Sequence, residues 1–414
     1  MLGRRWRRAR LADPDRLRPS PSAAGTKGDG VTAWDVALAT VRWLAAAWWL
    51  AAIATFVASL SGALLQPRIQ RRRATATATP PVSLILPVKL VDPGFERAQA
   101  SAFAQDLADY EVIVGAAEHQ SPALDILRRL AARGAVPARL LRAPGIGATS
   151  PKLDNLAAGI EAAAHDVVVT KDSNITFSPD TARVMLRSLA PGVGMVVAVP
   201  VAVRAESFAG NIEAILINRD ARLLLTASAA GKGFGVGKVM IFRRSDLARA
   251  GGVAAMRYTI AEDSALSKGF AAIGLRTRFA ENTVDQEIGA RALAAVYGRQ
   301  ARWAVIRRAE EPATFAFEPV ACPVPAAFAA ALAAPLVGFP GWAGFVATLV
   351  GWYAIEVAVT AAWKRWELRP WTPAAFLGRD AVLLTAWARA WFTREVTWAG
   401  GKRDVRDVLH REMR

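Results

Sequence analysis

The chain has few of the residues from which disulfide frameworks and transition-metal sites are built. Cys322 is the single cysteine among 414 residues, which excludes a disulfide network and a thiolate-ligated metal. There are three histidines, His119, His165 and His410, scattered too widely for a clustered zinc site. Acidic residues are scarce, 35 against 52 Lys and Arg, leaving a formal net charge of +17. Such an excess selects anionic partners. Nucleic acid is disfavoured, because the basic residues form no reading helix and are not interleaved with aromatic residues. Anionic lipid headgroups and a nucleotide diphosphate fit better. Tryptophan is nearly missing from the middle: of 14, Trp303 alone lies between Gln66 and Pro319. The rest lie towards the two ends, as expected where a chain meets lipid. The middle reads as a soluble domain.

What is present organises the chain. Residues 1–33 are rich in Arg, Pro, Ser and Gly and read as a disordered basic tail. The apolar stretch that follows starts too late and runs too long for a cleaved signal peptide. Trp43 to Leu65 is 23 residues without a charge, enough to span a bilayer, so 34–66 is expected to be a transmembrane anchor. Arg68, Arg71, Arg72 and Arg73 crowd one end of it and Arg42 marks the other. The positive-inside rule then puts residues 80–319 on the cytoplasmic side of an inner (plasma) membrane. From Pro81 onward, short β-branched runs (82–87, 111–115, 138–141, 166–171, 193–200) alternate with helical stretches (95–107, 123–133, 153–164, 179–189). That alternation predicts an α/β fold with a mostly parallel, Rossmann-like sheet, whose ligands bind at the carboxyl ends of the strands. Residues 320–363 read as a helical hairpin crossing the membrane twice around Phe339-Pro340-Gly341, with Glu356 obliged to face protein or a headgroup. In 364–414, Ala381–Phe392 reads as an interfacial or third membrane segment ahead of a basic tail.

Four groups of residues carry candidate chemistry. Asp172-Ser173-Asn174 follows directly on the apolar strand 166–171. A carboxylate there can hold Mg²⁺ or Mn²⁺ while a diphosphate supplies further oxygens, although an Asx turn explains it equally well. Glu262-Asp263 opens a helical run, and Asp263 is a candidate general base as well as a first-turn acid. Arg299, Arg302 and Trp303 share one helix face, placing two guanidinium groups where a departing diphosphate gathers charge; the same face, with Arg307 and Arg308, suits anchoring to lipid. Lys152 and Asn155, spaced i, i+3 after Ser150-Pro151, are candidates for contacting a nucleotide, or simply lie on a solvated face. Gly145 to Gly147 is too short for a phosphate loop.

In this order the pieces resemble the ceramide glucosyltransferase family, a membrane-bound branch of the GT-A glycosyltransferases. The resemblance rests on Lys89-Leu90-Val91-Asp92-Pro93, Ser150-Pro151-Lys152, Asp172-Ser173-Asn174-Ile175, Ala250-Gly251-Gly252, Ile260-Ala261-Glu262-Asp263 and Arg299-x-x-Arg302-Trp303, with Pro312-Ala313-Thr314 leading into Glu318-Pro319. It implies a GT-A catalytic domain over 80–319, Asp172 as the metal-associated aspartate, Asp263 as the base, and Arg299, Arg302 and Trp303 as the third element. It further implies an inverting transfer from a UDP-sugar, UDP-glucose first, to the primary hydroxyl of ceramide. Two departures stand out. Ser121 precedes Pro122 where the family places Asp, leaving Glu118 as the substitute contact to uridine, and Lys238 follows Gly237 where the family prefers an uncharged residue. An added cation suits an acidic donor such as UDP-glucuronate. Another lipid acceptor (hopanoid or glycerolipid), a processive polysaccharide synthase and a non-catalytic membrane scaffold are the alternatives.

Overall fold

In the computed structural model, residues 32–409 are described, apart from 75, 77–78, 135, 145–147, 149–150, 257–258, 260, 363–367 and 399–400. The predicted basic tail (all but its last two residues), Gly145–Gly147, Ser150, Tyr258, Ile260, Trp363 and the basic end from His410 lie outside the described residues.

Thr32 starts the first helix with a capping box: its hydroxyl accepts from Asp35 N at 3.2 Å, and its own N–H donates to Asp35 Oδ2 at 2.9 Å. Helix α1 (Ala33–Arg73) has 41 residues, much longer than the apolar run that predicted it. At 1.5 Å per residue it reaches about 60 Å, twice the hydrocarbon thickness. Its apolar part is open, with Leu44 67% and Trp34 84% exposed. Its far end is gripped by protein. Gln66 Nε2 donates to Ala280 O at 2.6 Å and Gln70 Nε2 to Ser228 O at 2.8 Å, both glutamines buried.

The middle alternates as the sequence predicts: β1 (Val82–Val88), α2 (Phe95–Ala100), β2 (Tyr110–Ala116), α3 (Pro122–Arg133), β3 (Ala138–Arg142), α4 (Pro151–Ala162) and β4 (Val167–Lys171). Then come β5 (Ile175–Thr176), α5 (Thr181–Leu186), β6 (Val193–Ala205), α6 (Phe208–Ala229), β7 (Val239–Arg243), α7 (Arg244–Arg249), α8 (Glu262–Ala272) and β8 (Arg276–Gly289). The strands form one sheet in the order β3-β2-β1-β4-β7-β6-β8-β5. The pairings β3-β2-β1-β4 are parallel, β7 runs antiparallel to both β4 and β6, and β6 pairs in parallel with β8. Both faces of β1 are covered: Leu84 and Leu86 pack with α2 and α3 residues such as Phe95 and Leu124, and Ile85 with α4 and α6 residues such as Leu156 and Leu225. Burial on two faces is what makes these strands continuous apolar runs. It also leaves the sheet's carboxyl edge as the open end.

The C-terminal part contains α9 (Leu293–Glu310), α10 (Pro312–Ala316), α11 (Pro323–Ala333), α12 (Gly341–Ala362), α13 (Thr372–Ala390), β9 (Glu395–Trp398), β10 (Gly401–Asp404) and α14 (Val405–Leu409). Helices α1 and α12 are long and apolar enough to cross a membrane. The expected hairpin is uneven. Its first limb is α-helical only over Pro323–Ala333, then a 3-10 turn over Ala334–Val337, because Pro335 and the left-handed Gly338 end it. At about 22 Å that limb is shorter than the hydrocarbon thickness of a bilayer, whereas α12, with 22 residues, is long enough to cross it. Helix α13 begins nine residues before the stretch expected at Ala381 and packs on α6 and α9. Glu356 on α12 is buried against protein: Arg222 of α6 donates to it, as does Arg379 of α13 at 2.8 Å, while Arg379 also donates to Asp380 at 2.7 Å.

Candidate active site

A cavity of about 420 Å³ opens at the carboxyl end of β4 and is walled by α6, α8 and α9. Its floor follows from strand register. β4 and β7 pair Lys171 with Val239, so the next pair outward is Asp172 with Lys238, and Asp172 N donates to Lys238 O at 3.0 Å. Lys238 Nζ then sits 2.9 Å from Asp172 Oδ2. Lys152, on the first turn of α4, reaches the other oxygen, Oδ1, also at 2.9 Å. Lys152 Nζ donates further to Glu262 Oε1 at 2.5 Å and Gly237 O at 3.2 Å. Burial works against ionisation of Asp172, but the charges of Lys152 and Lys238 outweigh it and hold the carboxyl at about 2. For Lys152, burial disfavours its charge, and Asp172 and Glu262 more than restore it, raising its pKa.

Asp263 lies at the head of α8, next to Glu262. Its Oδ2 accepts from Gly237 N at 2.7 Å and its Oδ1 from Ser264 N at 2.9 Å. A Cβ at Gly235 would run into the Asp263 carbonyl, so only glycine lets the 233–237 loop pass this closely. Burial, followed by the negative charge of Glu262, raises Asp263 to about 6. Each oxygen keeps a lone pair for a proton.

Helix α9 supplies the opposite wall with Arg299, Arg302 and Trp303. Arg299 Nη1 donates to Glu213 of α6, a fully buried carboxylate whose other oxygen lies 3.4 Å from Arg291 Nε. Arg307 lines the same cavity and donates to both oxygens of Glu318, at 2.6 and 3.1 Å, a bidentate pair.

Asp172, Lys152, Asp263, Arg299, Arg302 and Trp303 therefore meet at one cavity. Two expected donor contacts do not. Asn155 is buried and turned to the sheet, its Nδ2 donating to Val88 O at 2.9 Å, because i, i+3 from Lys152 places it on the inward face of α4. Glu118 is exposed on the loop after β2, outside the cavity. Asp92, Glu213 and Arg291 also line the cavity, beyond the site residues that the sequence predicts. Asp92, which accepts from the Ser173 hydroxyl, was already inside the first motif. Glu213, in the apolar first half of α6, gives a weaker signal. No cluster of three or more His, Cys, Asp or Glu suited to a metal occurs among the described residues. A divalent cation fits here only as Mg²⁺ and its like often bind, through one carboxylate, Asp172, plus oxygens of a bound diphosphate.

The family model described as glycosyl transferase family 21 matches residues 46–408. Among curated proteins, the chain is 31% identical over 99 residues to a ceramide glucosyltransferase of Komagataella phaffii, covering 23% of this chain and 19% of that protein. It is 23% identical over 245 residues to ceramide glucosyltransferase 1 of Caenorhabditis elegans, covering 58% of this chain and 53% of that protein. The chain thus spans about a fifth and about half the length of these two relatives. Among solved structures, a mannosyltransferase from Pyrobaculum calidifontis in complex with GDP-Man and Mn²⁺ is 22% identical with a TM-score of 0.48, covering 83% of this chain and 99% of that one. Glucosyl-3-phosphoglycerate synthase from Mycobacterium tuberculosis is 16% identical with a TM-score of 0.32, covering 54% of this chain and 74% of that one.

Proposed function

We propose, from the premise that this chain belongs to glycosyl transferase family 21, that it transfers glucose from UDP-glucose to the primary hydroxyl of ceramide with inversion, giving a β-glucosylceramide. The observation that supports this most is the convergence of Asp172, Asp263 and the Arg299/Arg302 pair, from three distant segments, on one cavity. Asp263 accepts the proton of the acceptor hydroxyl as its oxygen attacks the anomeric carbon and the bond to the diphosphate breaks. The leaving diphosphate departs unprotonated, so a second, acidic carboxyl group is not needed. Arg299 and Arg302 offset the charge that gathers on it, with Arg299 held in place by Glu213. Trp303 lines the acceptor side. Mg²⁺ or Mn²⁺, held by Asp172, would supply further neutralisation of the diphosphate. Lys238 shares its charge with the Asp172 carboxylate, so less of it is left for an acidic sugar, which favours glucose over glucuronate.

Helices α1 and α12 anchor the enzyme in an inner membrane, with Arg68 to Arg73 and the catalytic domain on the cytoplasmic side. The domain divisions are then a basic tail (1–33), anchor (34–66), GT-A domain (80–319), membrane hairpin (320–363) and interfacial segment (364–414). Lipid extracts from cells with and without the gene test this reading, with the purified chain assayed on UDP-glucose, UDP-glucuronate and ceramide. A β-glucosylceramide present only with the gene is the expected result. A new glycolipid on a hopanoid or glycerolipid would move the acceptor, a polymer would point to a synthase, and unchanged lipids with no transfer in vitro would overturn the reading.

A further inference from the structure

The two lysines on Asp172 differ in what they have left to give. An ammonium group has three N–H donors. Lys152 uses all of them, on Asp172, Glu262 and Gly237 O. Lys238 Nζ has one partner among the described residues, Asp172 Oδ2, and its side chain is 30% exposed along the cavity wall. Two donors of Lys238, which lines the cavity, are therefore left for a bound ligand. The β4–β7 register and the Asp172 N to Lys238 O hydrogen bond fix its backbone beside the carboxylate.

Resting on the donor reading above, we propose that Lys238 is a tethered cation for the donor diphosphate, making nucleotide binding only weakly dependent on a divalent ion. Lys152 is on this account a positioning residue: it orients Asp172 and ties it to Glu262 beside Asp263. Lys238 bridges Asp172 to a phosphate oxygen, the place a divalent ion takes when a lone aspartate holds it. A divalent ion can still bind Asp172, but it must displace an ammonium from an oxygen and then sit within about 4 Å of that like charge. A lysine in the chain carries no such cost and cannot be removed by a chelator.

UDP binding to the full chain purified in detergent tests this, by titration calorimetry in EDTA and in MnCl₂. For the unaltered protein the expected dissociation constants in the two buffers agree within about threefold. Lys238→Met should bind UDP at least about tenfold more weakly in EDTA and recover in MnCl₂. Lys238→Arg, which keeps the charge, should retain binding in EDTA. Electron paramagnetic resonance of free Mn²⁺ gives a second readout: Lys238→Met, with Asp172 Oδ2 released, should bind Mn²⁺ more tightly than the unaltered protein. Binding of UDP to the unaltered protein only in MnCl₂ would overturn the role of Lys238 and leave the donor site standing. Equal binding of UDP in EDTA by Lys238→Met would do the same. No UDP binding in either buffer would overturn the donor reading together with this inference. If Lys238→Met fails to fold, the two-buffer comparison on the unaltered protein and Lys238→Arg still decides.

Discussion

At the scale of single residues, the site is a set of charges tuned by neighbours. Asp263 must be ionised to take a proton, and burial and Glu262 raise it from an ordinary carboxyl to about 6. Sign follows directly: kcat should fall about tenfold per pH unit below about pH 6 and level off above it, as a pH–rate profile will show. Glu262→Gln removes the adjacent negative charge and should shift that acid limb to lower pH. Glu213→Ala should leave Arg299 unanchored and lower kcat by about ten- to a hundredfold with a smaller change in KM, as steady-state kinetics will show. Asp172, Lys152, Asp263 and the α9 triad were legible in the sequence because each stands at an element's end or on one helix face, where spacing decides direction. Asn155 misled for a related reason: one turn beyond Lys152, the α4 face has already rotated into the core. Glu213 was not legible because its partner Arg299 is 86 positions away, and only packing of α6 on α9 joins them.

At the scale of elements, helix packing explains how the membrane segments are fixed to the catalytic domain. Gly62 of α1 lies against Thr226 of α6 so closely that any Cβ would strike its backbone. Gly62→Val should force the helices apart, destabilising by about 1–3 kcal/mol, read as a lower midpoint of thermal inactivation in detergent. Glu356 joins α12 to α6 and α13 through Arg222 and Arg379, all three buried. Glu356→Ala would leave two guanidinium groups without this partner in a buried setting, at a cost of about 3–5 kcal/mol, so poor recovery of folded protein is expected. Strands β1, β2 and β4 are legible because burial on both faces writes itself as largely apolar runs rich in Val and Ile, whereas the half-exposed β3 shows only a short apolar core. Strands β7 and β8 are not legible. β8 carries Arg276, Arg278, Glu281, Gln286 and Glu287, whose polarity hides a strand until β6 and β5 pair with it and Arg204 offsets Glu287. The first limb of the hairpin is shorter than its apolar run because hydropathy measures composition, whereas Pro323, Pro335 and the left-handed Gly338 set where the helix begins and ends.

At the scale of the whole molecule, the proposed cytoplasmic placement of the catalytic domain rests on Arg68, Arg71, Arg72 and Arg73 at the end of the apolar part of α1. Protease added to sealed right-side-out vesicles should spare the catalytic domain, and added to inverted vesicles should cut it; the opposite pattern would reverse the placement of Arg68 to Arg73. The proposed transfer depends on a single carboxylate, Asp263, taking a proton from a lipid hydroxyl. The most direct test is Asp263→Asn, with glucosylceramide formation and UDP binding measured on the same purified preparation. Transfer reduced at least about a thousandfold with UDP bound as tightly as before is the predicted result. Transfer at the unaltered rate would contradict it.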